Sequence, residues 1–141
     1  MTLLDTNVLI YASATGAEHH EWALGALADA VSADGAAVNA VSVAEVCVGV
    51  EDAATEIERI RDWGVAILDV PGSAAEVCAA AYRRYREERR SQSGLDASPT
   101  PLPDFFIGAH AEIMRWPLAT ADRSRIATYF PSVPLITPFP R

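Results

Sequence analysis

Short apolar runs alternate with stretches of helical spacing along almost the whole chain. The runs fall at residues 2–4, 37–39, 66–69, 117–119 and 134–136. Each is too short for a helix and apolar enough to be buried on both sides, which predicts strands. Between them, helical patterns are expected at 8–13, 18–32, 42–50, 53–63, 73–90 and 104–115. The 18–32 stretch carries Trp22, Ala26 and Ala30 at helical spacing. The pairs Ser42/Glu45 and Ser73/Glu76 have the spacing of a capping signal at a helix start. Strand–helix alternation implies a parallel sheet with helices on both faces and right-handed crossovers. The expected architecture is therefore a three-layer α/β/α fold of about five strands, in one domain spanning residues 1–141. A chain of 141 residues that is 50% hydrophobic has material for such a core.

Four acids sit where strand and helix signals meet. Asp5 ends the first apolar run, Glu45 lies among Val43, Ala44 and Val46, Asp104 follows Leu102-Pro103, and Asp122 follows Leu118-Ala119-Thr120-Ala121. In open α/β sheets, ligands bind at the carboxyl ends of the strands near a switch in strand order. That rim would gather all four from distant parts of the chain. Two carboxylates about 4 Å apart repel by roughly 4 kcal/mol at an effective dielectric near 20. Such a cluster takes up protons or binds a cation. An all-oxygen set without thiolates suits Mg²⁺ or Mn²⁺, whose chemistry here would be phosphodiester hydrolysis. Singly, each acid has an ordinary explanation: Asp5, Asp104 and Asp122 as helix caps, Glu45 as a solvated helix residue.

The formal net charge of −8 argues against a nucleic-acid partner when taken alone. The distribution says more. Lys is absent, and five Arg fall together at Arg83, Arg84, Arg86, Arg89 and Arg90. Arg83, Arg86 and Arg90 are candidates for tracking a phosphate backbone; the alternative is a solvated helix face on which Arg83, Arg84 and Arg86 pair with Glu87 and Glu88. Cys47 and Cys78 have no metal or redox spacing and read as buried thiols of a cytoplasmic protein. No stretch is apolar enough to span a membrane, and no basic segment precedes an apolar one as in a signal peptide. His19, His20 and His110 read as structural or exposed, and Trp22, Trp63 and Trp116 as core anchors. Residues 91–103, rich in Ser and Pro, predict a loop bordering the site, and residues 137–141 an irregular tail.

The ordered motifs resemble one family. Leu4-Asp5-Thr6-Asn7-Val8-Leu9-Ile10-Tyr11 resembles the opening motif of PIN domains, especially VapC-type toxins of toxin–antitoxin modules. Val41-Ser42-Val43-Ala44-Glu45-Val46 is similar to its second acidic motif, and Leu102-Pro103-Asp104-Phe105-Phe106-Ile107-Gly108-Ala109-His110-Ala111 to its third. Leu118-Ala119-Thr120-Ala121-Asp122-Arg123, with Tyr129-Phe130-Pro131, resembles the fourth motif and tail. The resemblance implies a Mg²⁺- or Mn²⁺-dependent endoribonuclease, held inactive by a cognate antitoxin and commonly a homodimer. It carries over Asp5, Glu45, Asp104 and Asp122 as the acidic site, with metal between Asp5, Asp104 and Asp122, and Asn7 and Thr120 as polar supports. Where the family often has a basic residue before its fourth Asp, this chain has Ala121.

Three rivals are weighed against this. A phosphatase of the haloacid dehalogenase type needs a second Asp two residues after the first, where this chain has Asn7. A non-catalytic binding domain is disfavoured by the presence of all four acids. An RNA-processing nuclease of the same fold differs in lacking an antitoxin.

Overall fold

The computed structural model describes residues 1–139. Its elements are β1 (Thr2–Leu4), α1 (Thr6–Ser13), α2 (His20–Ser32), β2 (Ala36–Asn39), α3 (Ala40–Val48), α4 (Ala53–Asp62), β3 (Val65–Leu68), α5 (Ala74–Ser93), α6 (Pro103–Met114), β4 (Leu118–Ala119), α7 (Arg123–Tyr129) and β5 (Leu135–Ile136). The strands form one sheet in the order β3-β2-β1-β4-β5, and every pairing is parallel. Among the described residues no helix is long and apolar enough to cross a membrane.

Side-chain alternation along the strands builds the three layers. Leu3, Ala37 and Leu118 face one way, packing with Cys78, Ala81 and Tyr82 of α5, Phe105 and Ile107 of α6, and Ile126 of α7. Leu4, Ala36, Val38 and Ala119 face the other way, onto Val8 and Leu9 of α1, Ala23 and Leu27 of α2, Val43 of α3 and Ile60 of α4. Trp116 packs against the first cluster, Trp22 and Trp63 against the second, as anchors half-buried at the edge of each. The chain lays β2 and β3 on one side of β1, then returns through α5 and α6 to lay β4 and β5 on the other. Strand order therefore reverses between β1 and β4.

Three expected helix starts are different in the structure. Ser42 does not cap α3. Asn39, the last residue of β2, does so three residues earlier, its Oδ1 accepting from the amides of Val41 (3.0 Å) and Ser42 (3.2 Å). The strand runs straight into the helix, so the cap falls on the strand's final polar residue. Ser73 stands at the cap position of α5 but makes no capping hydrogen bond, because its φ and ψ of −62° and −18° are already helical. Residues 6 and 7 join α1, where a start at residue 8 is expected from sequence. The 91–103 loop is shorter than expected, since α5 continues to Ser93 and closes on Gly94 with a left-handed φ of 70°. Tyr82 Oη donates to Ser98 O (2.7 Å) and pins the remaining loop to α5. Of the irregular tail expected at 137–141, residues 140 and 141 lie outside the described residues.

His110 of α6 is almost fully buried, and burial lowers its pKa. Its Nδ1 lies 3.2 Å from Asn39 Nδ2. Because Asn39 Oδ1 is already bonded to two amides, Nδ2 is the donor there and the His110 proton sits on Nε2. Across the reversal point, the edge strand β5 supports β4: Leu118 N donates to Pro134 O and Thr120 N to Ile136 O, each at 2.9 Å.

Candidate active site

β1 delivers Asp5 and β4 delivers Thr120 to the carboxyl end of the sheet, side by side. Asp5 is 6% exposed and Thr120 fully buried. One Asp5 oxygen, Oδ1, accepts the Thr6 amide (2.7 Å), while Oδ2 accepts Thr120 Oγ1 (2.7 Å) and, more weakly, Asn7 Nδ2 (3.4 Å). Asn7 acts as a bracket between the strands. Its Nδ2 also reaches Thr120 Oγ1 (3.3 Å), and its Oδ1 accepts the amide of Ala121 (3.0 Å). Its amide is thus spent on holding β4 to α1 and supplies no acid or base.

Burial pushes the Asp5 carboxyl from 3.8 up to about 6. The Thr120 hydrogen bond opposes this, the charge of Asp104 adds to it, the Thr6 amide opposes it again, and Glu45 adds a little more. Two other acids therefore lie close enough to Asp5 to be felt by it. Glu45, exposed one turn into α3, accepts from Thr6 Oγ1 at 2.6 Å. Asp104, in the first turn of α6, is paired with Arg125 of α7, Nη1 to Oδ2 at 3.0 Å. The structure thus brings Asp5, Glu45 and Asp104 to one rim.

Asp122 stands differently. Its side chain is exposed and caps α7, accepting from Ser124 N (3.3 Å) and Ser124 Oγ (2.9 Å). Its backbone is tied to the site, with Asp122 N donating to Thr120 Oγ1 (3.0 Å). As the side chains stand, the acids are engaged by Thr6, Thr120, Arg125 and Ser124. Among the described residues no three His, Cys, Asp or Glu converge tightly enough to hold one ion. The donor set nonetheless fits a hard divalent cation. It is all oxygen, its buried member is a carboxylate held high by burial and crowding, and the cation now resting on Asp104 is a guanidinium of the chain itself.

Two contributors escape the sequence reading. Thr6 links Asp5 and Glu45 through its amide and its hydroxyl. Arg125 lies 21 residues from its partner Asp104, with its guanidinium carbon 5.3 Å from the Tyr85 ring centroid. The only sequence signal for Arg125 is its place one turn past Asp122. The Arg cluster of α5 is largely engaged elsewhere. Arg84 donates to Tyr129 O (2.8 Å), Arg89 to Tyr85 Oη (3.3 Å), and Arg90 pairs with Asp96 (3.0 Å). The expected pairing with Glu87 and Glu88 does not form among the described residues; Glu88 accepts instead from the Tyr129 hydroxyl. Burial, together with that partner, pushes the Tyr129 phenol up to about 12. Arg83 is exposed and Arg86 half-buried, and neither has an ion-pair partner among the described residues.

Thr120→Val tests the bracket. It keeps the volume but removes the donor to Asp5 and the acceptor of the Asp122 and Asn7 N–H groups. The expected cost is about 1–3 kcal/mol of stability by urea unfolding. The Asp5 titration followed by NMR should move further up, since the Thr120 hydrogen bond lowers it. A downward move would contradict this account.

Asp5 at the end of β1 and Thr120 at the end of β4 lie where strand order reverses, the position at which folds of the open α/β class bind ligands. The model of the PIN domain matches residues 2–130, and the chain belongs to that family. Similar solved structures include a toxin–antitoxin complex from Klebsiella pneumoniae, 24% identical with a TM-score of 0.65, covering 99% of this chain and 98% of that one. DNA-bound VapBC from Salmonella typhimurium is 15% identical with a TM-score of 0.64, covering 96% of each chain. FitAcB from Neisseria gonorrhoeae is 20% identical with a TM-score of 0.62, again covering 96% of each. No curated protein matches the chain.

Proposed function

We propose that the chain is a Mg²⁺- or Mn²⁺-dependent endoribonuclease and the toxin of a toxin–antitoxin pair, working in the cytoplasm. The observation that carries this is the buried Asp5 carboxylate at the end of β1, gripped by Thr120 and crowded by Asp104 and Glu45. A carboxylate so placed gains most from a bound divalent cation. In this reading Asp5, Glu45, Asp104 and Asp122 form the acidic site, with Asp5, Asp104 and Asp122 as the residues that would hold the metal. Bound there, a divalent cation supplies an activated water and stabilises charge on the phosphate oxygens.

The chain's own groups do the rest. Thr120 and the Thr6 amide fix the rotamer of Asp5, so its oxygens face the rim at no cost when substrate arrives. Glu45, steadied by the Thr6 hydroxyl, orients the attacking water or takes its proton. Asp122 acts through its backbone hold on Thr120 and by turning its side chain from Ser124 toward the rim. Arg83 and Arg86 stand at a surface where an RNA backbone can be tracked, with Arg90 joining if it leaves Asp96. The antitoxin and a homodimer belong to the same reading. It is supported by the toxin–antitoxin complex from Klebsiella pneumoniae among the similar structures and by exposed Ile10, Leu24, Val31, Val48 and Val50.

The experiment is cleavage of single-stranded RNA by the purified protein, with and without chelator. Cleavage is expected in Mg²⁺ or Mn²⁺, loss with EDTA, recovery on adding metal back, and none from Asp104→Asn. EDTA-resistant cleavage would refute the metal reading, and hydrolysis of para-nitrophenyl phosphate without RNA cleavage would refute the nuclease.

A further inference from the structure

We propose that Arg125 is a phosphate-binding residue held in reserve by Asp104, which gives it up to an RNA phosphate when a divalent cation claims that carboxylate. The inference rests on the nuclease reading above. The pair lies at the rim, with the Arg125 and Asp104 side chains 35% and 33% exposed, so it is loosely held. It neutralises one acid of a crowded set. The guanidinium has a second support that does not depend on Asp104: it rests over the Tyr85 ring. That ring is itself fixed by Phe105 and Tyr129, at centroid distances of 5.3 and 5.7 Å. Arg125 can therefore leave the carboxylate by side-chain rotation and remain on the aromatic shelf.

Of its N–H donors, one is spent on Asp104 and the others have no acceptor among the described residues. A planar fork with free donors beside an acidic rim matches a phosphate oxygen pair. A cation on Asp104 also repels Arg125, so both changes point the same way. The consequence is linkage: metal and RNA each take one partner of the same ion pair, so each strengthens the other. A mere clip between α6 and α7 would produce no such coupling.

Calorimetry decides it. Mn²⁺ is titrated into the full chain alone and with a saturating, uncleavable single-stranded 2′-O-methyl oligonucleotide, for the native protein, Arg125→Gln, Arg125→Lys and Arg61→Gln. Arg125→Gln is expected to bind Mn²⁺ about threefold tighter in the absence of oligonucleotide. The oligonucleotide's enhancement of Mn²⁺ affinity, about fivefold in the native chain, should fall toward unity. Arg125→Lys keeps the charge but not the fork, and is expected to retain only part of the linkage. It also serves if the Gln variant fails to fold. Arg61→Gln removes an exposed charge of α4 that pairs with Glu58, touching neither Asp104 nor Tyr85, and should leave the linkage whole. Unchanged or weaker Mn²⁺ binding by Arg125→Gln, or intact linkage in both Arg125 variants, overturns the inference while leaving the nuclease standing. A native chain that binds neither Mn²⁺ nor oligonucleotide overturns both.

Discussion

Asp5→Asn is expected to abolish RNA cleavage and, in the same molecule, to stabilise the metal-free fold at neutral pH. Activity should fall by more than about a hundredfold, since even groups that only support a metal ligand are worth 10–100-fold. The stability gain follows from the raised carboxyl. A group that titrates near 6 when folded and near 3.8 when unfolded holds its proton more tightly in the native state. Its contribution is therefore best below the unfolded value and is lost as pH rises through the folded one. Above pH 7 the full difference, about 3 kcal/mol, is charged against the native state; near pH 5 about half of it remains. Asparagine avoids that charge and can still accept the Thr6 amide. Urea unfolding of both proteins at pH 7.5 and pH 5, in chelator, gives the comparison. The variant should lead by up to about 3 kcal/mol at the higher pH and by about half as much at the lower. A variant that is less stable at pH 7.5, or that still cuts RNA at the native rate, would remove Asp5 from this role.

Gly108→Ala is expected to destabilise the protein by about 1–3 kcal/mol, although a helix interior ordinarily gains from that exchange. Gly108 lies inside α6 with the Phe130 ring pressed against it. A Cβ there would stand 2.5 Å from Phe130 Cε2 and 2.9 Å from Cγ. Phe130 is 1% exposed and packs at a tilt against Phe105, so the ring has nowhere to go. The strain would spread to the end of α7, whose C-cap is Phe130, and so toward Arg125. Thermal melting of Gly108→Ala, Phe130→Leu and the double variant measures it. The two changes should be strongly non-additive, the smaller side chain relieving the added methyl. Simple additivity would mean that the contact carries no strain.

The layered fold was legible because the strand runs are short, apolar and regularly interrupted. Leu3 against Leu4, and Ala37 against Val38, fall on opposite faces simply by alternation. Helix starts were less legible where a strand ends in its own cap. Ser42 has the spacing of a cap, but Asn39 comes first and takes both amides, leaving the Ser42 hydroxyl buried without a partner among the described residues. At the site, three of the four acids were readable from their neighbours in sequence and meet at the rim. Asp122 illustrates the limit: capping α7 and serving the rim call for the same residue type at the same position. Arg125 was not readable at all, because an ion pair between α6 and α7 leaves no periodicity in either segment.

β5 is only two residues long and lies at the border of the sheet, yet the amide of Thr120 hangs on its Ile136 carbonyl. The residue that aims Asp5 is thus suspended from the least secured strand of the fold. The carboxyl end of the sheet inherits its precision from its weakest selvedge: whatever steadies or peels β5 also tunes how sharply Asp5 is aimed.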